Sequence, residues 1–278
     1  MRTTKIVADS SANIIELSKA AFAVAPLKIV AGETEFVDNR KLDVNAMVSW
    51  FDAYKGKSKT SCPSPFDWLD AFGEANDVFC VTITSGLSGS YNAACAAKQM
   101  YEAEHPDRRV FVIDSLSAGP ELVLIVEKLT ECVENGMTYE DTCVAISEYT
   151  KTTGLVFMLE SLKNFAANGR VSPAVAKIAG VLGIRIVGKA STQGTLEPTN
   201  KCRGEGKSLS AILTNMKEAG LRRGKVRIAH CMNETAAQEL KCLIQAELEL
   251  VDVQIHKCRG LCSYYAEKGG LLVGFEKM

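Results

Sequence analysis

Three short polar segments carry the residue types that hold an anion. They are Asp9-Ser10-Ser11, Lys59-Thr60-Ser61-Cys62-Pro63-Ser64-Pro65 and Thr84-Ser85-Gly86-Leu87-Ser88-Gly89-Ser90-Tyr91. Asp9 and its serines are equally suited to capping the free amides of a following helix and to orienting neighbouring loops. In the second segment two prolines stiffen the chain, Pro65 suits a first helical turn and Ser64 an N-cap. That leaves the hydroxyls of Thr60 and Ser61 open to either a structural or a ligand-binding use. The third segment joins an apolar run to a helical pattern. A strand, a Gly/Ser loop and a helix start form a general anion site, because free amides and the helix dipole face the ligand and glycine permits close approach. It lacks the GK[ST] ending of a phosphate loop. It is not a nucleophile elbow either, since Ser90 stands where a motif centred on Ser88 requires glycine. The three histidines, His105, His230 and His256, lie outside all three segments. That weighs against a Ser–His–Asp triad, with only a spatial approach by His230 or His256 left open. Several neutral hydroxyls with few fixed cations suit a carboxylate or a single phosphate better than a triphosphate.

These segments need strands and helices to position them. Apolar, β-branched runs at Lys5–Ala8, Val78–Thr84, Arg109–Asp114 and Gly154–Leu159 predict strands. Helical patterns at Val44–Tyr54, Pro65–Ala75 and Tyr91–Ala103 fall between them. Such alternation predicts a parallel sheet covered on both faces, whose C-terminal strand edge is the usual ligand-binding edge. Leu27–Val30 and Thr34–Val37 predict a small hairpin. The second half has a Gly-rich stretch from Asn168 to Gly206. It is followed by a helix near Lys207–Leu221, strand Lys225–His230, helix Glu234–Ala246, strand Val251–His256 and strand Leu271–Phe275. The expectation is two packed α/β domains, residues 1–158 and a smaller 159–278.

The composition narrows the function classes. The 278 residues are 47% hydrophobic and 23% charged, and the net charge is −1. This gives no electrostatic footprint for nucleic acid. No apolar run approaches the ~20 residues of a membrane helix, and the opening residues turn polar too early for a signal peptide. A cytoplasmic protein is expected. The ten cysteines contain no Cys-x-x-Cys pair, so reduced thiols used as small apolar residues are expected rather than a zinc site.

The ordered set of motifs resembles the DegV family. Thr60-Ser61-Cys62-Pro63-Ser64-Pro65 is similar to its TS-x-P-S loop, and Thr84 through Tyr91 to its SSGLSGTY motif. Asp9-Ser10-Ser11 is similar to the family's opening DST, and Asn168-Gly169-Arg170-Val171-Ser172 to GGRIS. Leu182-Gly183-Ile184-Arg185-Ile186, Gly194-Thr195-Leu196-Glu197-Pro198 and Lys201-Cys202-Arg203-Gly204 follow its later stretches. The resemblance implies a two-domain α/β protein with a long-chain fatty acid buried between the domains. It implies a non-catalytic subunit that presents the carboxylate to a partner kinase, which forms an acyl phosphate from ATP for phospholipid synthesis. No cofactor or metal is implied; transient membrane-surface contact fits the role. The residues it implies around the carboxylate are Thr60 or Ser61, then Ser88, with Ser85 second, Gly89 and Arg170. Arg203 matches a kinase-contact arginine.

One position departs from the family. Glu267 stands where the family has a carboxylate-binding histidine. Two facing carboxylates repel unless one is protonated. The alternatives are that Glu267 points elsewhere, with Lys268 or Tyr264 substituting, or that the head group is held differently. A lipid sensor without a kinase, and a serine-dependent hydrolase or transferase acting through Ser88 or Ser61, are the competing functions. For a fatty acid the tail dominates affinity, because about 14 buried methylenes contribute roughly 11 kcal/mol before association costs. Apolar runs near Leu155–Leu159 and Ile178–Ile186 are candidates both for the tail wall and for ordinary core.

Overall fold

The computed structural model describes residues 2–172 and 183–278. Residues 178–182 of the second candidate tail run, including Leu182 of its motif, lie outside the described residues. The first sheet is four-stranded and wholly parallel, in the order β2 (Phe22–Ala25), β1 (Thr4–Asp9), β6 (Asp77–Thr82), β7 (Arg109–Asp114). Period-two alternation gives it two apolar faces. Val7, Val78, Cys80 and Val110 pack under Trp68, Phe72, Ala94, Ala97 and Tyr101 of α2 (Pro65–Phe72) and α3 (Ser90–Glu104). Ile6, Ala8, Phe79, Val81 and Ile113 pack under α4 (Pro120–Glu134) and α5 (Tyr139–Tyr149). The expected doubly covered parallel sheet is therefore present.

The expected hairpin, β3 (Lys28–Ala31) and β4 (Thr34–Val37), is present and gains a third antiparallel strand, β5 (Ser58–Ser61). Helix α1 (Val44–Ala53) lies between β4 and β5 in the chain. Ser-Lys-Thr-Ser at residues 58–61 has no apolar alternation to reveal an edge strand. The chain then turns into α2 through a capping box, with Ser64 accepting from the Asp67 amide and Asp67 accepting from the Ser64 amide, and Pro65 at the first helical position.

The second sheet is six-stranded and mixed. Its order is β10 (Leu196–Arg203), β9 (Ile184–Ala190), β8 (Thr153–Leu159), β13 (Leu271–Glu276), β11 (Gly224–His230), β12 (Val251–Lys257). Helices α7 (Glu205–Glu218) and α8 (Glu234–Glu247) cover one face. The short helices α6 (Lys163–Ala167) and α9 (Gly260–Ala266) lie on the other. A boundary at residue 158 would cut β8, which pairs antiparallel with both β13 and β9. The sheets divide before Thr153. An apolar strand reads the same in either sheet, and its partners more than a hundred residues away leave no local trace.

Helix α4 joins the two sheets. Leu122, Ile125, Val126 and Leu129 pack on the first, and its first turn lies on β13. A Cβ at Gly274 would come within 2.5 Å of Glu121 N and the Pro120 carbonyl carbon, so only glycine admits the helix there. Arg227 of β11 is 2% exposed and meets Glu127 of α4 in a two-pronged pair, at 2.7 and 2.8 Å, with Asp252 at 2.9 Å. Removing one partner of a buried pair strands the other charge. Glu127→Ala is therefore expected to cost about 3 kcal/mol, at the low end of the range for such pairs because Asp252 remains. Urea unfolding checks this; an unchanged midpoint would refute it.

Candidate functional site

The segment after β1 acts as a hub. The Asp9 carboxylate is 0% exposed and accepts from the Ser11 amide (3.1 Å), the Ile83 amide (2.8 Å) and the Ser90 hydroxyl (2.6 Å). Burial raises its pKa, and the hydrogen bonds from Ser11, Ser90 and Ile83 oppose that rise. The Ser10 hydroxyl accepts from the Leu27 amide (3.1 Å), and the Ser11 carbonyl accepts from the Gly119 amide (3.0 Å) and the Cys262 thiol (3.4 Å). Both sequence readings of Asp9 hold, since it caps the 3₁₀ turn Ser10–Ala12 and also fixes the neighbouring loops.

These loops surround a cavity of about 340 Å³, within the size range of small-ligand sites. Its apolar wall includes Leu27, Ile83, Leu155, Phe157, Leu159, Leu261 and Leu272. In β8 the two sequence readings apply to alternate residues. Leu155, Phe157 and Leu159 face the cavity, and Val156 and Met158 belong to the core under α7 and α8. Ile186 is buried in core and does not line it.

Thr60, Ser61, Ser88, Gly89 and Arg170 all line this cavity, and hydrogen bonds gather them. Arg170 donates through Nε to the Leu87 carbonyl at 3.0 Å and through Nη1 to the Asn168 carbonyl. Asn168 Oδ1 accepts from the Thr60 amide at 3.1 Å, closing the free edge of β5. The Thr60 hydroxyl lies 2.7 Å from the Tyr265 hydroxyl. Gly89 stands at the N-cap of α3 and provides no side-chain cap, and a Cβ there would lie 3.2 Å from the Cys62 sulfur. The Ser90 amide donates to the Ser88 hydroxyl at 3.3 Å, so Ser88 keeps its own proton free to donate. The loop at Ser191–Thr195 closes over this region. Gly194 has φ +70°, and a Cβ there would lie 1.9 Å from Thr84 Oγ1, which excludes any other residue.

Ser85 and Glu267, placed near the carboxylate by the resemblance, fall outside this cavity, and Arg203 lies apart from it as well. Ser85 is exposed, and its amide is held by Asp114 at 3.1 Å outside the cavity lining. Arg203 is exposed at the end of β10, opposite Ile184, and lines neither this cavity nor the second one. Glu267 ends α9 with φ +53° and lines the second cavity, its carboxylate accepting from the Ser161 hydroxyl (2.9 Å) and the Asn164 amide (3.4 Å). Burial raises its pKa, opposed by those bonds. Its side chain lies outside the cavity that Thr60 and Ser88 line. The suggested substitutes Lys268 and Tyr264 face the second cavity too. Tyr265 and Asn168 were missed as site residues; paired tyrosines in a short apolar segment read as core.

A model of the family described as "Uncharacterised protein, DegV family" matches residues 3–277. The chain belongs to the DegV family. A DegV domain-containing protein of Streptococcus pneumoniae is 42% identical over 99% of both chains. A DegV family structure from Eubacterium eligens, loaded with heptadecanoic acid, is 43% identical with a TM-score of 0.97, covering 99% of this chain and 100% of that one. The S. pneumoniae fatty acid kinase B3 protein, loaded with linoleic acid, is 42% identical with a TM-score of 0.97 over the same shares. Among the described residues of this DegV chain, no helix is long and apolar enough to cross a membrane.

The hub predicts a specific fragility. Asp9→Ala leaves the buried donors of Ile83, Ser90 and Ser11 without their acceptor, at about 1–3 kcal/mol each. The expected loss is about 3 kcal/mol or more in urea unfolding, with faster hydrogen exchange at the Ile83 amide. Unchanged exchange there would remove Asp9 from this role.

Proposed function

We propose that this protein binds a long-chain fatty acid in the first cavity and presents its carboxylate to a partner kinase that forms an acyl phosphate from ATP. The observation that carries the reading is the division of the cavity wall. An apolar lining for a chain meets one cluster of hydroxyls, a guanidinium and an uncapped helix start. A buried carboxylate needs such partners. Ser88 and Thr60 donate to it, Ser61 joins them when its hydroxyl turns from the Cys62 carbonyl 3.2 Å away, Arg170 supplies the countercharge, and the first amides of α3 add their dipoles. Tyr265 holds the Thr60 hydroxyl from behind. The likeness to structures loaded with heptadecanoic and linoleic acids supports the same ligand class.

The protein itself is read as non-catalytic. Among the described residues the cavity lining supplies hydroxyls, the Arg170 guanidinium and the Lys59 ammonium, and no histidine to take a proton from Ser88, which favours binding over hydrolysis. Glu267, which motivated a kinase-free sensor, faces the second cavity and no longer argues for that reading. Arg203, exposed beyond the cavity, is assigned to the kinase contact, and the cytoplasm is the compartment in which such a kinase would meet it.

Protein purified from a bacterial host is expected to carry a C14–C18 acid, released by organic extraction and identified by mass spectrometry. Empty protein that also fails to take up oleate would contradict the reading. Ser88→Ala and Arg170→Ala should each weaken retention about tenfold or more, as loss of a hydrogen bond to a charged group does. Competition with a fluorescent fatty acid reads this, and unchanged affinity removes the residue from the site. Arg203→Glu should lower acyl phosphate formation by the cognate kinase at least tenfold with retention unchanged; equal turnover would exclude Arg203 from the contact.

A further inference from the structure

Consecutive tyrosines of α9 face different cavities. Tyr265 lines the first and Tyr264 the second, with their rings 5.0 Å apart. The second cavity has a volume of about 710 Å³. Its apolar and aromatic surface comes from Val30, Met47, Val48, Phe51, Tyr54 and Tyr264. Its cations are Lys57, Lys59, Lys163 and Lys268, and its acids are Asp52 and Glu267. Among the described residues none of these four lysines forms an ion pair within 4 Å. Four lysines against two carboxylates leave a net charge of +2.

The walls are held in place. Tyr264 bonds through its hydroxyl to Ser58 (2.7 Å) and Asn168 (3.0 Å), and Asn164 holds its carbonyl at 2.7 Å. Tyr54 stacks on Trp50 at 4.5 Å and donates to the Lys57 carbonyl at 3.1 Å, fixing the turn that carries Lys57. Glu267, which the first cavity does not use, is anchored here by Ser161 and Asn164. Separate lysines act as point charges that suit phosphate, without the fork geometry that selects a planar carboxylate. A phosphomonoester carries about −1.5 to −2 charges at neutral pH, matching the surplus, whereas a carboxylate matches only half of it. The apolar and aromatic surface calls for a body attached to that phosphate.

We propose that the second cavity is a binding site for a phosphomonoester borne on an apolar or aromatic body, its phosphate among Lys57, Lys59, Lys163 and Lys268 and its body against Phe51 and Tyr264. Both an alkyl phosphate and a nucleoside monophosphate share this chemistry. The inference does not rest on the fatty-acid reading, because the two cavities are lined by different side chains apart from Lys59.

Dodecyl phosphate, AMP and inorganic phosphate are titrated by calorimetry into the protein as purified and into Lys57→Glu/Lys163→Glu. Any acid in the first cavity is tracked by mass spectrometry before and after. At least one of the two esters should bind ten times or more tighter than inorganic phosphate, and the double variant should weaken it at least tenfold with the first cavity's contents unchanged. Whichever ester binds tighter identifies the body. No ester binding tighter than about 1 mM, an inorganic phosphate affinity equal to that of the esters, or ester binding indifferent to the charge reversal would each overturn the proposal. Displacement of the first cavity's acid by dodecyl phosphate, with AMP silent, would overturn it too. Both substituted lysines are exposed, so the fold is expected to survive.

Discussion

The structure depends on one buried carboxylate. Asp9 lies at the C-terminal edge of the first sheet and is cut off from water, so its charge must be met by protein donors. The donors come from Ile83, Ser90 and Ser11, two of them on the loop that presents Ser88 and Gly89. Its neighbours Ser10 and Ser11 hold Leu27, Gly119 and Cys262. One turn of chain thereby fixes parts of four walls of the first cavity. The cost of burying the charge is offset by the donors it draws together from neighbouring loops.

A second constraint sets the opposite wall. Helix α4 is shared by both sheets, and the buried Arg227–Glu127 pair and the close approach at Gly274 fix its height over β13. The apolar side chains of β8 and Leu272 then face the strand-end loops across the cavity. Gly194 brings the Ser191–Thr195 loop against Thr84 and closes the remaining side.

The sequence made much of this legible, and the failures have physical causes. Parallel strands β1, β6 and β7 and helices α1 to α3 were visible because apolar period and caps agree locally. β5 was hidden because an edge strand with Ser58 and Thr60 on one face and Lys59 and Ser61 on the other lacks apolar alternation. β8 was placed in the wrong sheet because pairing is not a local property. Helices α4 and α5 were passed over, although the Pro120 start and the Thr138 cap were present as signals. At the site, Thr60, Ser61, Ser88 and Gly89 stand in segments whose residue types suit an anion, Arg170 came from the family resemblance alone, and the structure gathers all five around one cavity. For Glu267 the sequence left two alternatives open, because an aligned position does not fix side-chain direction. The left-handed backbone at the end of α9 turns it to the other cavity. Tyr265 and Asn168 were missed because their task is to hold Thr60, and positioning roles leave little mark in a sequence.

Placing a fatty acid in the first cavity with its head at the hydroxyl cluster is open to a decisive check, a crystal structure of the protein with a bound C16 or C18 acid. The expected result is carboxylate oxygens within hydrogen-bond distance of the Ser88 and Thr60 or Ser61 hydroxyls, the chain running past Leu155, Phe157 and Leu159, and Glu267 without contact to the ligand. A carboxylate beside Glu267 and Lys268, or an acid lying in the second cavity with the first one empty, would contradict it.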